Sequence, residues 1–489
     1  VGGVSPIRNV EETARAFVRE AFGALLEEHV LPTPEFHPYL EVGRDYYGDS
    51  VRGPAYAAFE AALDAGFPER FAEPLKRQHA EFASTYIFRF LEACVARCGR
   101  ADGVFDAEST AVSESIDELV SVLEAQEYTA TSCRVVAHLT TGDGAPLQIG
   151  ELQVVPEAEE WHDLTRKIAN EIPGAVSAFN RHWPTPYDPP HCMVVARLTT
   201  SNADVYETFR QLSAQIERLL LLIRLLTAGT VQSYYEVSGL STLVSRMTPL
   251  YGTFRKGMLD SLVRRTTRLS GADERALSAL GDLLDAVEVK REGMVATSFD
   301  VALGKFNRSH VPENAFEHLV DLATALEAIL SGGESDNEAL TLRLKTRAAA
   351  LLSSSRDPAK AIFDDVGVLY GLRSKLVHGG QIKEAELRKI VRRVSTVPAE
   401  AAFGVALAHA VDRIRDLVRR SILVRICLAC EPDPPWPFSN TAPVDALLVE
   451  PETRRLWQER VRERMGAIGD GSAVDRPRVA ADFLSPEDR

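Results

Sequence analysis

The stretch Val366-Gly-Val-Leu-Tyr-Gly-Leu-Arg-Ser-Lys-Leu-Val-His-Gly-Gly380 decides how the rest of the chain is read. With Ile362 before it, Val366, Leu369, Arg373 and Leu376 fall at i, i+4, i+7, i+11 and i+14, one stripe of an amphipathic helix. An arginine therefore sits on the apolar stripe, where an unpaired charge is costly and a partner is required. His378 follows it by five residues, and Gly379-Gly380 supplies residues able to take the left-handed conformation that stops a helix. The spacing predicts His378 in or beside the last turn, where free carbonyls favour the imidazolium. A guanidinium and a titratable imidazole held close together can grip a phosphate and move a proton.

The string Tyr370-Gly-Leu-Arg373-Ser374-Lys-Leu-Val-His378-Gly379 resembles the R-x4-H motif of the HEPN superfamily (higher eukaryotes and prokaryotes nucleotide-binding). Within it, the ApeA-like branch carries a Y-x-x-R-S-x-x-V-H-G string. The likeness extends upstream through FEHLVDLATALEAIL (316–330) and LTLRLKTRAAALL (340–352) and covers about a third of the chain. It implies a C-terminal HEPN-type helical bundle that cuts RNA, such as tRNA, without metal or cofactor. The 2′-hydroxyl would attack the adjacent phosphate, with His378 moving protons and Arg373 stabilising phosphorane charge. It further implies a homodimer with two motifs lining one cleft, and a role in antiviral (phage) defence or as a toxin. Many nuclease members carry Asn, Asp or His directly after the arginine; Ser374 fits the ApeA-like branch and leaves activity open. The other reading of the same residues is a non-catalytic module that binds a nucleotide or a protein partner.

Supporting residues come from the preceding helices. Glu327 lies in the otherwise apolar ALEAIL and matches an acidic position of the family; Arg347 and Arg373 are its candidate partners. Tyr370, one turn before Arg373, reads chiefly as core.

Length and composition set the frame. The 489 residues are enough for about three domains, and 45% hydrophobic content describes an ordinary globular protein. Net charge is −15, which argues against a nucleic-acid-binding surface over the whole molecule. From Arg373 to Arg425, however, 12 Lys and Arg stand against 5 Asp and Glu, a local excess that could recruit a polyanion or form a solvated face. Val1 to Asn9 lacks the apolar run of a signal peptide, and LLLLIRLL (219–226) is too short to span a bilayer. Six cysteines without disulfide-framework spacing fit a reducing, cytoplasmic setting. Cys94, Cys98, Cys427 and Cys430 lack the histidines and proximity of a zinc site and read as buried thiols.

The chain divides into four regions: an acidic helical region over 1–126, an α+β domain over 127–250, the HEPN-like bundle over 254–430, and over 431–489 a proline-rich break, short helix and disordered tail. The fold class is thus mainly α with an α+β middle. The first two regions would sense a trigger or restrain the nuclease. In the middle region, TSCRVVAHLTT alternates as a strand, and after the Gly142-Asp143-Gly144 turn PLQIGELQVVP reads as its returning partner. Cys133–Thr141 and Cys192–Thr200 agree at seven of nine positions, pointing either to two related strands in one sheet or to chance.

Overall fold

The computed structural model describes residues 6–27, 51–68, 82–101, 104–125, 127–142, 144–156, 191–201, 205–240, 250–251, 266–289, 297–311, 314–331, 339–377, 383–431 and 444–469. Within them the chain is mainly helical, with an antiparallel sheet in the middle and a helical bundle after it.

Four helices come first: α1 (Pro6–Glu27), α2 (Pro54–Gly66), α3 (Phe82–Ala101) and α4 (Thr110–Glu124). Phe17, Tyr56, Phe59 and Phe90 form their aromatic core, with ring centroids 5.6–5.9 Å apart. Ser109 caps α4 by accepting the Val112 amide at 3.3 Å. Helix α3 runs through Gly99 to Ala101; an isolated glycine costs a helix only about 1 kcal/mol.

The sheet contains β1 (Glu127–Ala137), β3 (Leu147–Ile149), β4 (Leu152–Pro156), β5 (His191–Ser201), β6 (Gln232–Leu240) and β7 (Leu250–Tyr251), in the order β3-β4-β5-β1-β6-β7. A separate short strand, β2 (Leu139–Thr141), pairs in parallel with β8 (Thr267–Leu269). The expected returning strand is itself a hairpin, β3–β4, turning at Gly150 (φ 57°). It does not pair with β1. His138 takes φ 61°, so the chain leaves the sheet after Ala137, and β1 lies centrally between β5 and β6.

The two similar strings are antiparallel neighbours, Cys133 opposite Val195 and Val136 opposite Cys192. Their two differences have structural meaning. His138 breaks its strand where Arg197 continues one, and buried Arg134 ion-pairs with two glutamates where the other string has Met193. A hairpin succeeds the first string and a helix the second, so the likeness stops at one strand.

Helix α5 (Val205–Thr227) covers one sheet face, and its LLLLIRLL end is buried as its all-round apolar pattern requires. Arg134 of β1 ion-pairs with Glu217 of α5 and Glu236 of β6 and donates to Ser213 Oγ at 2.8 Å. Ala228, rather than Gly229, takes the left-handed residue after α5 (φ 56°). Gly229 is needed for a different reason: a Cβ there would sit 1.8 Å from Thr267 Oγ1 of β8.

The bundle comprises α6 (Gly271–Val289), α7 (Ser298–Arg308), α8 (Ala315–Ser331), α9 (Leu340–Leu352), α10 (Ala359–Val377), α11 (Glu384–Val391) and α12 (Phe403–Ala429). Two more, α13 (Val444–Val449) and α14 (Pro451–Ile468), dock back on it through Trp457, Val461 and Met465. Helix α12 is about 40 Å long at 1.5 Å per residue and is buried along almost its whole length. Sheet and bundle share one apolar core, and Arg419 of α12 donates to the Leu225 carbonyl of α5 at 2.9 Å. No described helix is long and apolar enough to cross a membrane.

Candidate functional site

Helix α10 positions the motif. Asp357, before its first turn, and Asp365, in its middle, hold it from below. The Asp357 carboxylate accepts both terminal nitrogens of Arg413 at 3.0 Å and also pairs with Arg420. Asp365 accepts from Arg413 Nε at 2.8 Å and from the amide and hydroxyl of Ser395 at 2.7 and 2.6 Å. Arg419 and Arg420 share Asp416, whose pKa lies below its usual value because the surrounding guanidinium groups outweigh burial, which acts the other way.

At the other end of α10, Tyr370, Arg373 and Ser374 occupy the last turns, and the first two face Glu327 of α8. Tyr370 Oη donates to Glu327 Oε2 at 2.8 Å. Burial and then that bond push the phenol up to about 12, so it remains a neutral donor at ordinary pH. Arg373 is held more loosely. Its Nη2 lies 3.9 Å from Glu327 Oε2, and its Cζ lies 5.7 Å from the Tyr370 ring centroid. Arg373 Nε is buried and makes no hydrogen bond. The side chains of Arg373 and Glu327 remain 24% and 30% exposed, so the pair is open to solvent on one side. Ser374 is half-buried beside it, and His378 lies outside the described residues.

The structure thus brings Arg373, Glu327 and Tyr370 together and takes Arg347 elsewhere. Arg347 grips Asp445 of α13 with two 2.7 Å bonds and donates to the Leu330 carbonyl at 2.7 Å. That grip holds the Asp445 carboxyl below its usual range. Arg347 fastens α13 to the bundle and does not reach the site.

The basic segment divides in two. Arg413, Arg419, Arg420 and Arg425 are fully buried in α12 and spend their charge inside the protein. Arg415, also on α12, donates to the Ser309 carbonyl and pairs with Asp412; apart from Arg373 and Lys375 on α10, the remaining cations cluster on and around α11. A charged run is ordinarily read as solvent-facing, so the sequence alone did not reveal the buried set. The available signal was that α12 has no polar stripe to put its arginines on.

A second polar cluster lies where sheet meets bundle. Arg224 of α5 donates to the Val231 carbonyl at 2.9 Å and to Asn307 Oδ1 of α7, and lies 4.0 Å from Glu217. Burial lowers its pKa to about 10. Nearby His310 is buried with Nδ1 3.0 Å from the Phe306 carbonyl, and desolvation followed by Arg224 and Arg415 lowers its pKa well below 6.5.

Burial raises the Cys427 thiol to about 12, leaving it unreactive. Among the described residues no three His, Cys, Asp or Glu side chains converge as a metal site requires. No family model, curated protein or solved structure matches the chain.

Proposed function

We propose that this chain is a metal-independent endoribonuclease of HEPN type, with Arg373 as the phosphate-binding residue and His378 as the proton-transfer residue. In the proposed step the ribose 2′-oxygen bonds to phosphorus, the bond to the 5′-oxygen breaks, and a 2′,3′-cyclic phosphate remains. His378 would take the 2′-hydroxyl proton and return one to the leaving oxygen, while Arg373 meets charge developing on the phosphorane.

The observation that carries this reading is the state of Arg373. Arg413, by contrast, is saturated by two carboxylates. Arg373 instead has one 3.9 Å contact, a buried Nε without a hydrogen bond and a solvent-facing side. We read residues 1–250 as regulating the bundle, and the Arg419–Leu225 bond between α12 and α5 supports that coupling.

The second reading, a non-catalytic module, is favoured by the Tyr370–Glu327–Arg373 contact, which also ties α10 to α8. Cleavage of total RNA and a tRNA pool in EDTA separates the two. Arg373→Ala and His378→Ala should each lose about 10²-fold or more in rate, and Arg373→Ala should lose under about 1 kcal/mol in stability for so open a pair. Absent cleavage by the parent protein, with both variants strongly destabilised, would establish the non-catalytic reading instead.

A further inference from the structure

The cations on and around α11 are the part of the basic segment that the protein does not consume. Lys383, Lys389, Arg392 and Arg393 are exposed; behind the hydrogen bonds from Lys375 and Lys360, Lys383 and Arg393 add to the lowering of the Glu386 and Asp364 pKa values without a direct ion pair to either. The acids beside them are already engaged: Glu384 with Arg388, Glu386 with Lys375, and Asp364 with Lys360. Lys389, Arg392 and Arg393 fall at i, i+3 and i+4, one stripe on the face opposite buried Leu387 and Val391.

Two contacts fix that stripe relative to the site. Lys375, two residues after Arg373, pairs with Glu386 at one end of α11. Ser395, just past the other end, binds Asp365 of α10. The segment from 386 to 395 therefore runs antiparallel to the last part of α10, alongside about 15 Å of its axis. In a protein of net charge −15, this is a local positive stripe beside the helix that carries Arg373.

We infer that this stripe, Lys383, Lys389, Arg392 and Arg393, is a phosphate-backbone docking surface that delivers single-stranded RNA to Arg373. The choice of RNA as the polyanion rests on the ribonuclease reading; the unneutralised charge does not. Four point charges without base-reading partners bind backbone and supply affinity, not sequence preference.

The test uses full-length protein and a fluorescent 2′-O-methyl oligoribonucleotide, which lacks the attacking hydroxyl and stays intact during binding. Anisotropy is measured at 50 and 200 mM salt for the parent protein, for the combined variant Lys389→Gln/Arg392→Gln/Arg393→Gln, and for Arg455→Gln as a control. Each lost phosphate contact on a single strand flattens the log–log salt slope by about 0.7, so the combined variant should be shallower by about 2, roughly a 20-fold smaller loss of affinity over that range. Arg455→Gln should match the parent. Cleavage of unmodified RNA at saturation should persist in the combined variant, with kcat/KM lowered through KM.

Equal affinity and slope in parent and combined variant would overturn the docking surface and leave the ribonuclease reading intact if Arg373→Ala still abolishes cutting. No binding by the parent protein at 50 mM salt would also overturn it. Weakened, flatter binding in a protein that never cuts RNA would support the surface and sink the ribonuclease reading.

Discussion

Asp357→Ala should be among the most damaging single substitutions in the bundle, although Asp357 touches neither Arg373 nor any predicted ligand. Its carboxylate is almost fully buried and serves two arginines, each without solvent exposure. Removing one partner of a buried ion pair typically costs 3–5 kcal/mol, because the remaining charge is left uncompensated. Here neither arginine is stranded completely. Arg413 keeps Asp365 at 2.8 Å, and Arg420 keeps the Leu352 carbonyl and a 3.7 Å approach to Asp416. The cost should therefore lie near the lower bound, about 3 kcal/mol. For a cooperative unit of roughly 200 residues, about 2–4 °C accompanies each kcal/mol, which predicts a fall of about 6–12 °C in the calorimetric transition. Glu327→Gln is the contrast. It loses only a half-exposed 3.9 Å pair and keeps an oxygen for Tyr370, so it should cost under about 1 kcal/mol. A double-mutant cycle of Asp357→Ala with Arg420→Met should be non-additive, since the second change removes the charge that the first strands. An Asp357→Ala transition within about 2 °C of the parent, less than the shift for one kcal/mol, would refute this account, as would strict additivity in the cycle.

The sheet–bundle junction yields two further outcomes. His310 is buried with its pKa well below 6.5, so the folded state stays neutral while the unfolded chain takes up a proton near 6.5. Its contribution to stability is fully present above that pH and declines below it, at up to about 1.4 kcal/mol per pH unit. Urea midpoints between pH 6.5 and 5 should fall more steeply for the parent than for His310→Gln, and identical slopes would count against the assignment. Gly229→Ala should cost about 1–3 kcal/mol by forcing Thr267 Oγ1 of β8 away from the new Cβ, and Thr267→Ala should restore part of that loss in the double variant. If it restores none, the close approach is not the cause.

Much of the helical architecture was legible because amphipathic helices repeat their apolar residues at a readable period. The stripe from Ile362 to Leu376 is buried where the sequence put it, apart from half-buried Arg373 and Leu376. Glu327 was legible too, as an acid in an apolar run that faces Arg373. Strand partners were not. Cys133, Val135, Met193 and Val195 are buried on one face of the sheet, and Val136, Cys192 and Val194 on the other. With both faces covered, no alternation marks which strand is central, and the turn at Gly142–Gly144 suggested the wrong neighbour. Arg347 failed for a related reason. Its partner Asp445 lies 98 residues away on a six-residue helix beyond a proline-rich stretch, where no local pattern points back.

The two ends of α10 differ in how fully their charged side chains are satisfied, which bears on the ligand role proposed for Arg373. Along α12 and the first half of α10, most buried charges answer another, Arg425 with its bond to the Ile329 carbonyl aside. Arg419 meets Asp416, Arg420 meets Asp416 and Asp357, and Arg413 meets Asp357 and Asp365. Such a set stabilises little against an apolar core of the same shape, since desolvation offsets most of the attraction, but it tolerates few alternative registers. Helix α10 is thereby pinned at Asp357 and Asp365, and Arg419 extends the same register to α5 under the sheet. Eight residues beyond Asp365, about 12 Å along the axis, the pinning ends. Arg373 is left with a long contact to Glu327 and an unused Nε. A binding group works best when its backbone is rigid and its donors are uncommitted, because ligand contact then costs neither a competing bond nor a repacked scaffold. Saturated arginines of α12 pinning the lower part of α10, and an unsaturated arginine at the tip of α10, meet that requirement together.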